Sequence, residues 1–251
     1  MKAALLQVQQ FLLPKEGAET AECEDAIGVN VEAARFAVAD GATEAFDARS
    51  WAHMLAESWV VSEPPVLTAE AFGAWVAEQG TALHGAWEGR TLSWYAEEKA
   101  QRGSFAAFVG VQLELTNGAP HWTAIALGDS CLVQRRGQEV LAALPVADHR
   151  EFTSTPLLVP SRGELHEATM GRARVERGTC APGDVLWLMS DATAEWFLRR
   201  ADEDDALLDE LDQLLAAERE RDLRALFQQE RRARRIKDDD VACVRIQLVA
   251  D

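Results

Sequence analysis

The stretch ARFAVADGATEAFD, Ala34 to Asp47, decides how this chain is read. It runs apolar through Val38 and Ala39 and stops at Asp40-Gly41. A short apolar run closed by turn residues predicts a buried strand. A carboxylate at the end of such a strand, followed by a residue without a side chain, marks a place where another group must approach the backbone closely. Just upstream, AIGVNVEAARFAVAD predicts two strands joined by a turn around Asn30–Ala34, a hairpin that ends at Asp40. Just downstream, Asp47 is the expected cap of a helix through ARSWAHMLAESWVV, with Trp51, Leu55 and Trp59 at helical spacing. Pro64-Pro65 is expected to end it.

The pattern continues outward. Residues 3–13 predict a first strand; Gln7, Gln9 and Gln10 break the run, so it fails as a signal-peptide core and is too short to span a bilayer. Thr68 opens a helical stretch with Phe72, Trp75, Val76, Leu83 and Trp87 on one face, which is core spacing rather than a ligand platform. TLSWYAEEKAQRG continues it. SFAAFVGVQLEL and HWTAIALGD predict a hairpin about Asn117-Gly118, followed by SCLVQRRG. Residues 141–180 carry three prolines and predict irregular structure. GDVLWLMSDATAEWFLRR reads as a strand entering a helix, residues 201–235 as one long amphipathic helix or two, and DDVACVRIQLV as a last strand. Hairpins, then helices, then hairpins again argue against a βαβ parallel sheet and predict antiparallel sheets with helices packed outside, in a single α+β domain over 1–251.

Composition narrows the function. A net charge of -17 over 251 residues leaves no basic surplus to replace the counterions of nucleic acid or to seek anionic lipid. The expectation is therefore no nucleic acid and no membrane partner. The four cysteines are scattered without a CxxC pair, which predicts neither a zinc site nor a disulfide framework and suits a reducing cytoplasm.

Carboxylates recur where apolar runs begin or end: Glu24-Asp25, Asp40, Asp129, Asp191, and Asp238 to Asp240. Singly each is a turn or cap residue. Gathered at one edge of a sandwich they would suit hard divalent cations, which take oxygen ligands and keep several waters. Two such ions can clamp a phosphoryl group and generate a nucleophile between them. Asp40-Gly41 would offer a carboxylate and an unobstructed carbonyl.

In order and spacing these motifs resemble the metal-dependent protein phosphatases, the type 2C serine/threonine phosphatases. ECEDAIGV, FAVADGATE, ALGDSCLVQRRG, PGDVLWLMSDATAEWF and DDVACVRIQL look like that family's five motifs. The resemblance implies a four-layer αββα sandwich, two antiparallel β-sheets flanked by helix pairs. It implies Mn2+ or Mg2+, two ions and a weaker third. Asp40 would bridge two of them, with the Gly41 carbonyl on one and Asp191 and Asp239 on the other; Glu24 and Asp25 would act through water, and Asp129 and Glu195 would serve the third. Asp40, Asp191 and Asp239 would be the catalytic set. The implied reaction is hydrolysis of phosphoserine or phosphothreonine in proteins by a hydroxide bridging the two ions. The partners expected are a phosphorylated protein substrate and a kinase encoded elsewhere, for a monomer.

There are departures. Thr20 stands where the family often has a phosphate-gripping Arg, leaving Arg35 and Arg49 as substitutes. Ala192 replaces a glycine, and three aspartates leave the last motif's register open, with Asp239 favoured. His149 and His166, in the irregular region, are candidates for substrate contact. The rival reading is a catalytically weak or inactive module that binds a phosphoprotein or a partner kinase. A third is a docking protein using the 201–235 helix, which would require Leu211, Leu214 and Leu215 to be exposed.

Overall fold

The computed structural model describes residues 5–63, 66–115, 119–203 and 206–249. The turn expected at Asn117-Gly118 and the stop expected at Pro64-Pro65 lie outside them. In chain order the elements begin with β1 (Leu5–Leu13), β2 (Asp25–Asn30), β3 (Arg35–Gly41), α1 (Ala48–Val61), α2 (Ala69–Trp87) and α3 (Trp94–Arg102). Next come β4 (Phe105–Glu114), β5 (His121–Leu127), β6 (Cys131–Arg136), β7 (Glu139–Leu144), β8 (Val159–Pro160), α4 (His166–Thr169) and β9 (Arg174–Thr179). The chain closes with β10 (Asp184–Met189), α5 (Asp191–Asp202), α6 (Leu207–Ala216), α7 (Glu220–Arg232) and β11 (Val241–Val249).

The strands form two antiparallel sheets, ordered β1-β11-β10-β6-β7 and β2-β3-β4-β5-β9, with β8 added on β4. Three apolar layers alternate with them. Phe36, Val38, Val109 and Val111 of one sheet pack between the sheets against Leu186, Leu188, Val244 and Ile246 of the other. The opposite side chains of the same strands, Ala37, Ala39 and Phe108, meet α1 and α2. Val185, Trp187, Met189 and Cys243 meet α5, α6 and α7. This is the αββα sandwich, and it explains the unbroken apolar run in residues 36–39: a central strand covered on both faces needs apolar residues at every position there, not every second one.

The outer layer over β3 is drawn in tightly. A Cβ on Gly28 would lie 2.1 Å from the Ala56 carbonyl oxygen of α1, and one on Gly110 2.5 Å from the Trp59 ring. Trp59, Trp75, Phe72 and Phe108 then pack ring against ring, with centroids 5.5 to 5.9 Å apart. The face of α2 read from the sequence is buried as expected.

Some expectations are corrected. Asp47 does not cap α1: its φ is 53°, its side chain makes no cap bond, and it accepts instead from the Trp87 indole nitrogen at 2.9 Å. Residues 141–180 are not wholly irregular, because β9 pairs along β5 as an edge strand. Its sequence, RVERGT, lacks a continuous apolar face, which hid it. The 201–235 stretch is two helices, broken where Glu218 adopts φ 53°. Leu211 and Leu215 are packed against β1 and β11 and Leu214 is half-buried, so the docking-helix reading loses its surface.

Replacing Gly28 by Ala forces a methyl into helix backbone that cannot rotate away. We expect a loss of about 3 kcal/mol in urea unfolding, the upper range for overpacking. Gly85→Ala, on the exposed face of α2 with nothing within 4 Å, should instead hold or gain up to about 1 kcal/mol. Equal midpoints for the two variants would contradict the close seating of α1.

Candidate metal centre

The acidic groups converge because of register. In the β2–β3 hairpin Asp25 lies directly opposite Asp40. The other sheet brings up the end of β10, where Ser190 and Asp191 open α5, and the start of β11, which Asp239 and Asp240 precede. The ends of β10 and β11, neighbours in one sheet, are locked together here. The Ser190 backbone donates to the Ala242 carbonyl at 3.1 Å, and the Ala242 backbone donates to the Ser190 hydroxyl at 3.0 Å. Asp240 spends both oxygens on backbone nitrogens, accepting from Lys15 beyond β1 at 2.8 Å and, across to the other sheet, from Glu24 ahead of β2 at 2.7 Å. Asp238 faces outward to the Glu16 nitrogen at 2.9 Å. Of the three aspartates, Asp239 is the one left in the field of Asp191.

Gly41 answers to two neighbours. A Cβ there would sit 2.8 Å from the Ala48 carbonyl oxygen in the first turn of α1 and 3.0 Å from that of Glu24. Its nitrogen donates to that same Glu24 carbonyl at 3.2 Å. The missing side chain is therefore required by packing as well as by any approach to its carbonyl.

The electrostatics follow from crowding. Burial, and then the neighbouring Asp25, Asp191, Asp129 and Asp239, push the Asp40 carboxyl well above the usual carboxylate range. Asp25 is raised by burial too, with Asp240, Asp191 and Asp239 adding to it and a hydrogen bond from Ser190 opposing. Asp129, after β5, is raised by burial and then by Asp191, to about 7. Asp239 is raised by burial and Asp191. One oxygen of Asp25, in a residue only 1% exposed, has no hydrogen-bond partner. A buried unpartnered carboxylate oxygen costs stability unless something cationic faces it. Oxygen donors of this kind fit a hard divalent cation.

Positioning residues surround the cluster. Glu24 accepts from the Thr43 hydroxyl at 2.6 Å and pairs with Lys15 at 3.5 Å. Glu195, one turn into α5, and Asp191 both pair with Lys237. Arg231 of α7 reaches the Pro14 carbonyl at 2.9 Å and the Asp239 carbonyl, tying the loop after β1 to the loop before β11. Nothing in the order of motifs pointed to Lys15, Lys237 or Arg231; only the folded chain brings them in.

Thr20 is exposed. Arg35 cannot replace the absent guanidinium: it begins β3, whose other end carries Asp40, and is buried against Gln112, Ser62 and Glu63. Arg49 is exposed in the first turn of α1, near Gly41. His149 and His166 make other contacts, with Asp202 at 3.5 Å and with the Pro160 carbonyl at 3.0 Å. Asp148, His149 and Asp202 have ligand atoms within 4.8 Å of one another. That group sits at the far end of α5 from Asp191, and Asp148 already pairs with Arg150 at 2.7 Å.

The catalytic domain of the serine/threonine phosphatase PstP, in complex with two manganese ions, superposes with a TM-score of 0.63 at 18% identity, over 98% of this chain and 100% of that one. PstP/Ppp of Mycobacterium tuberculosis gives 0.62 at 16% identity, over 98% and 100%. PppA of Pseudomonas aeruginosa, a key regulatory component of T6SS, gives 0.58 at 14%, over 99% and 100%. No curated protein matches the sequence. The model of the protein phosphatase 2C family matches residues 17–229. That match takes in most of the chain, from ahead of β2 into α7, and with it Asp25, Asp40, Asp129 and Asp191, so the chain belongs to the protein phosphatase 2C family.

Proposed function

We propose that this protein hydrolyses phosphoserine and phosphothreonine in proteins, using two Mn2+ or Mg2+ ions held by Asp40, the Gly41 carbonyl, Asp191 and Asp239. The observation that carries this reading is the crowding of buried carboxylates from both sheets around an unpartnered oxygen of Asp25. Such a cluster is costly when metal-free and is stabilised by bound cations. When bound, the ions would supply an activated water and offset charge on the phosphoryl group.

The chain's own contribution is positional. Register sets Asp40 opposite Asp25. Asp191 is held at the first turn of α5, where the positive end of the helix dipole favours a carboxylate. Asp239 is held by its neighbour's backbone nitrogen at 3.0 Å. Glu24 and Asp25 stand where they can order water, and Asp129 and Glu195 form the outer part of the site. Without a guanidinium fork at Thr20, substrate phosphate meets point charges and solvent, which bind it less specifically.

The direct test is hydrolysis of an aryl phosphate, then of phosphopeptides, with Mn2+ and with chelator. Activity should need metal and fall at least about a hundredfold in Asp40→Asn, the scale of losing a principal charge-stabilising contact. A protein that binds Mn2+ yet turns over no phosphorylated substrate would be the binding module instead.

Stability should report the same cluster. Asp129 moves from 3.8 to about 7 on folding without metal, and Asp25, Asp40 and Asp239 move in the same direction. The folded state therefore holds more protons than the unfolded chain across this window, and stability is lost as pH rises through it. We expect the melting temperature of the metal-free protein to fall between about pH 4 and pH 7, and saturating Mn2+ to abolish most of that slope. A flat metal-free profile would show that these carboxylates are not crowded in solution.

A further inference from the structure

Lys237 stands out among the residues around the cluster. Its Nζ lies 3.2 Å from Asp191 and 3.3 Å from Glu195. Those two carboxylates are four residues apart on the first turns of α5 and so share one face of the helix. A single ammonium thus bridges them, in the position from which a cation would bridge them. Lys15, the other lysine at the cluster, differs: its Nζ pairs with Glu24 alone, and it meets Asp240 through its backbone. Lys237 is also carried differently. It lies in the segment between α7 and β11, two residues ahead of Asp239, and its side chain is 46% exposed, so it can swing out without unpacking the core.

We propose that Lys237 is a tethered counter-cation that competes with a divalent ion for Asp191 and Glu195. This rests on the metal-centre reading above. Ammonium and metal cannot share the same carboxylate oxygens at close range, since like charges repel. An ion that bridges Asp191 to Glu195 must displace Lys237, and its affinity is lowered by the free energy of the two charge-assisted hydrogen bonds it breaks. Of the principal ligands Lys237 pairs only with Asp191, whose ion keeps Asp239 as well, whereas at the outer position it pairs with both Asp191 and Glu195. The lysine therefore makes the outer position the weakest, and holds α5 and the loop before β11 together when metal is scarce.

The experiment is Mn2+ titration of chelator-stripped full-length protein, with free Mn2+ followed by electron paramagnetic resonance and binding heats by calorimetry. Four proteins are compared: wild type, Lys237→Met, Lys237→Arg, and Lys237→Met combined with Glu195→Gln. Met keeps the apolar stem and removes the charge. We expect Lys237→Met to bind one more ion than wild type, or to bind its weakest ion at least about tenfold more tightly, the scale of one hydrogen bond to a charged group. Lys237→Arg should behave as wild type, and the double variant should lose the gain. Wild type and Lys237→Met matching in both number and affinity would overturn the competition and leave the metal centre standing. A gain that persists in the double variant would also overturn it, by placing the extra ion elsewhere. Absence of Mn2+ binding in all four would overturn the metal-centre reading, and the inference with it.

Discussion

The structure depends on a repulsion that its fold holds in place. Asp25 and Asp40 face each other across a hairpin, the first buried and the second half-buried, each inside the field of Asp191 and Asp239 from the opposite sheet. Unaided, like charges at such range move apart or neutralise. They stay here because the strands that carry them are covered on both faces, so the backbone cannot yield without opening an apolar layer. Phe36, Val38 and Val109, clamped against Leu188, Val244 and Ile246, are thus as much a part of the acidic site as the acids.

The stitching around the site shows how that strain is distributed. Ser190 locks the end of β10 to β11 within one sheet, and Asp240 reaches across the seam between the sheets to the Glu24 backbone nitrogen. Arg231 extends the seam to α7 through two carbonyls. Lys15 and Lys237 supply positive charge at opposite flanks. None of these needs to touch a substrate to matter: each fixes where a carboxylate sits, and a site built for cations is sensitive to shifts of a fraction of an ångström.

How much of this could be read in the residues varies by element. The β2–β3 hairpin, α1, the β10–α5 junction and the last strand were legible, since each couples a periodic apolar run to a strong turn or cap residue. β9 was not, because an edge strand with one solvated face carries little apolar signal. Whether 201–235 held one helix or two stayed open, because Glu218 enters the left-handed region without a glycine to announce the break. Asp47 looked like a cap, but tertiary contact with Trp87 took its carboxylate.

The acidic cluster divides in the same way. The amino-acid sequence by itself determined which carboxylates end strands, the order in which they come, and the twofold burial of the central strands, because these are local properties of pattern and turn chemistry. It also carried enough of the family's motifs to name the fold. Only the tertiary structure decided that Asp240 spends its oxygens on the Lys15 and Glu24 backbones and Asp238 on that of Glu16, that Arg35 points away, and that Lys237 bridges Asp191 and Glu195. Those outcomes turn on how strands from two sheets and a helix from the chain's far end are brought within hydrogen-bonding distance. Spacing along one chain does not contain that information.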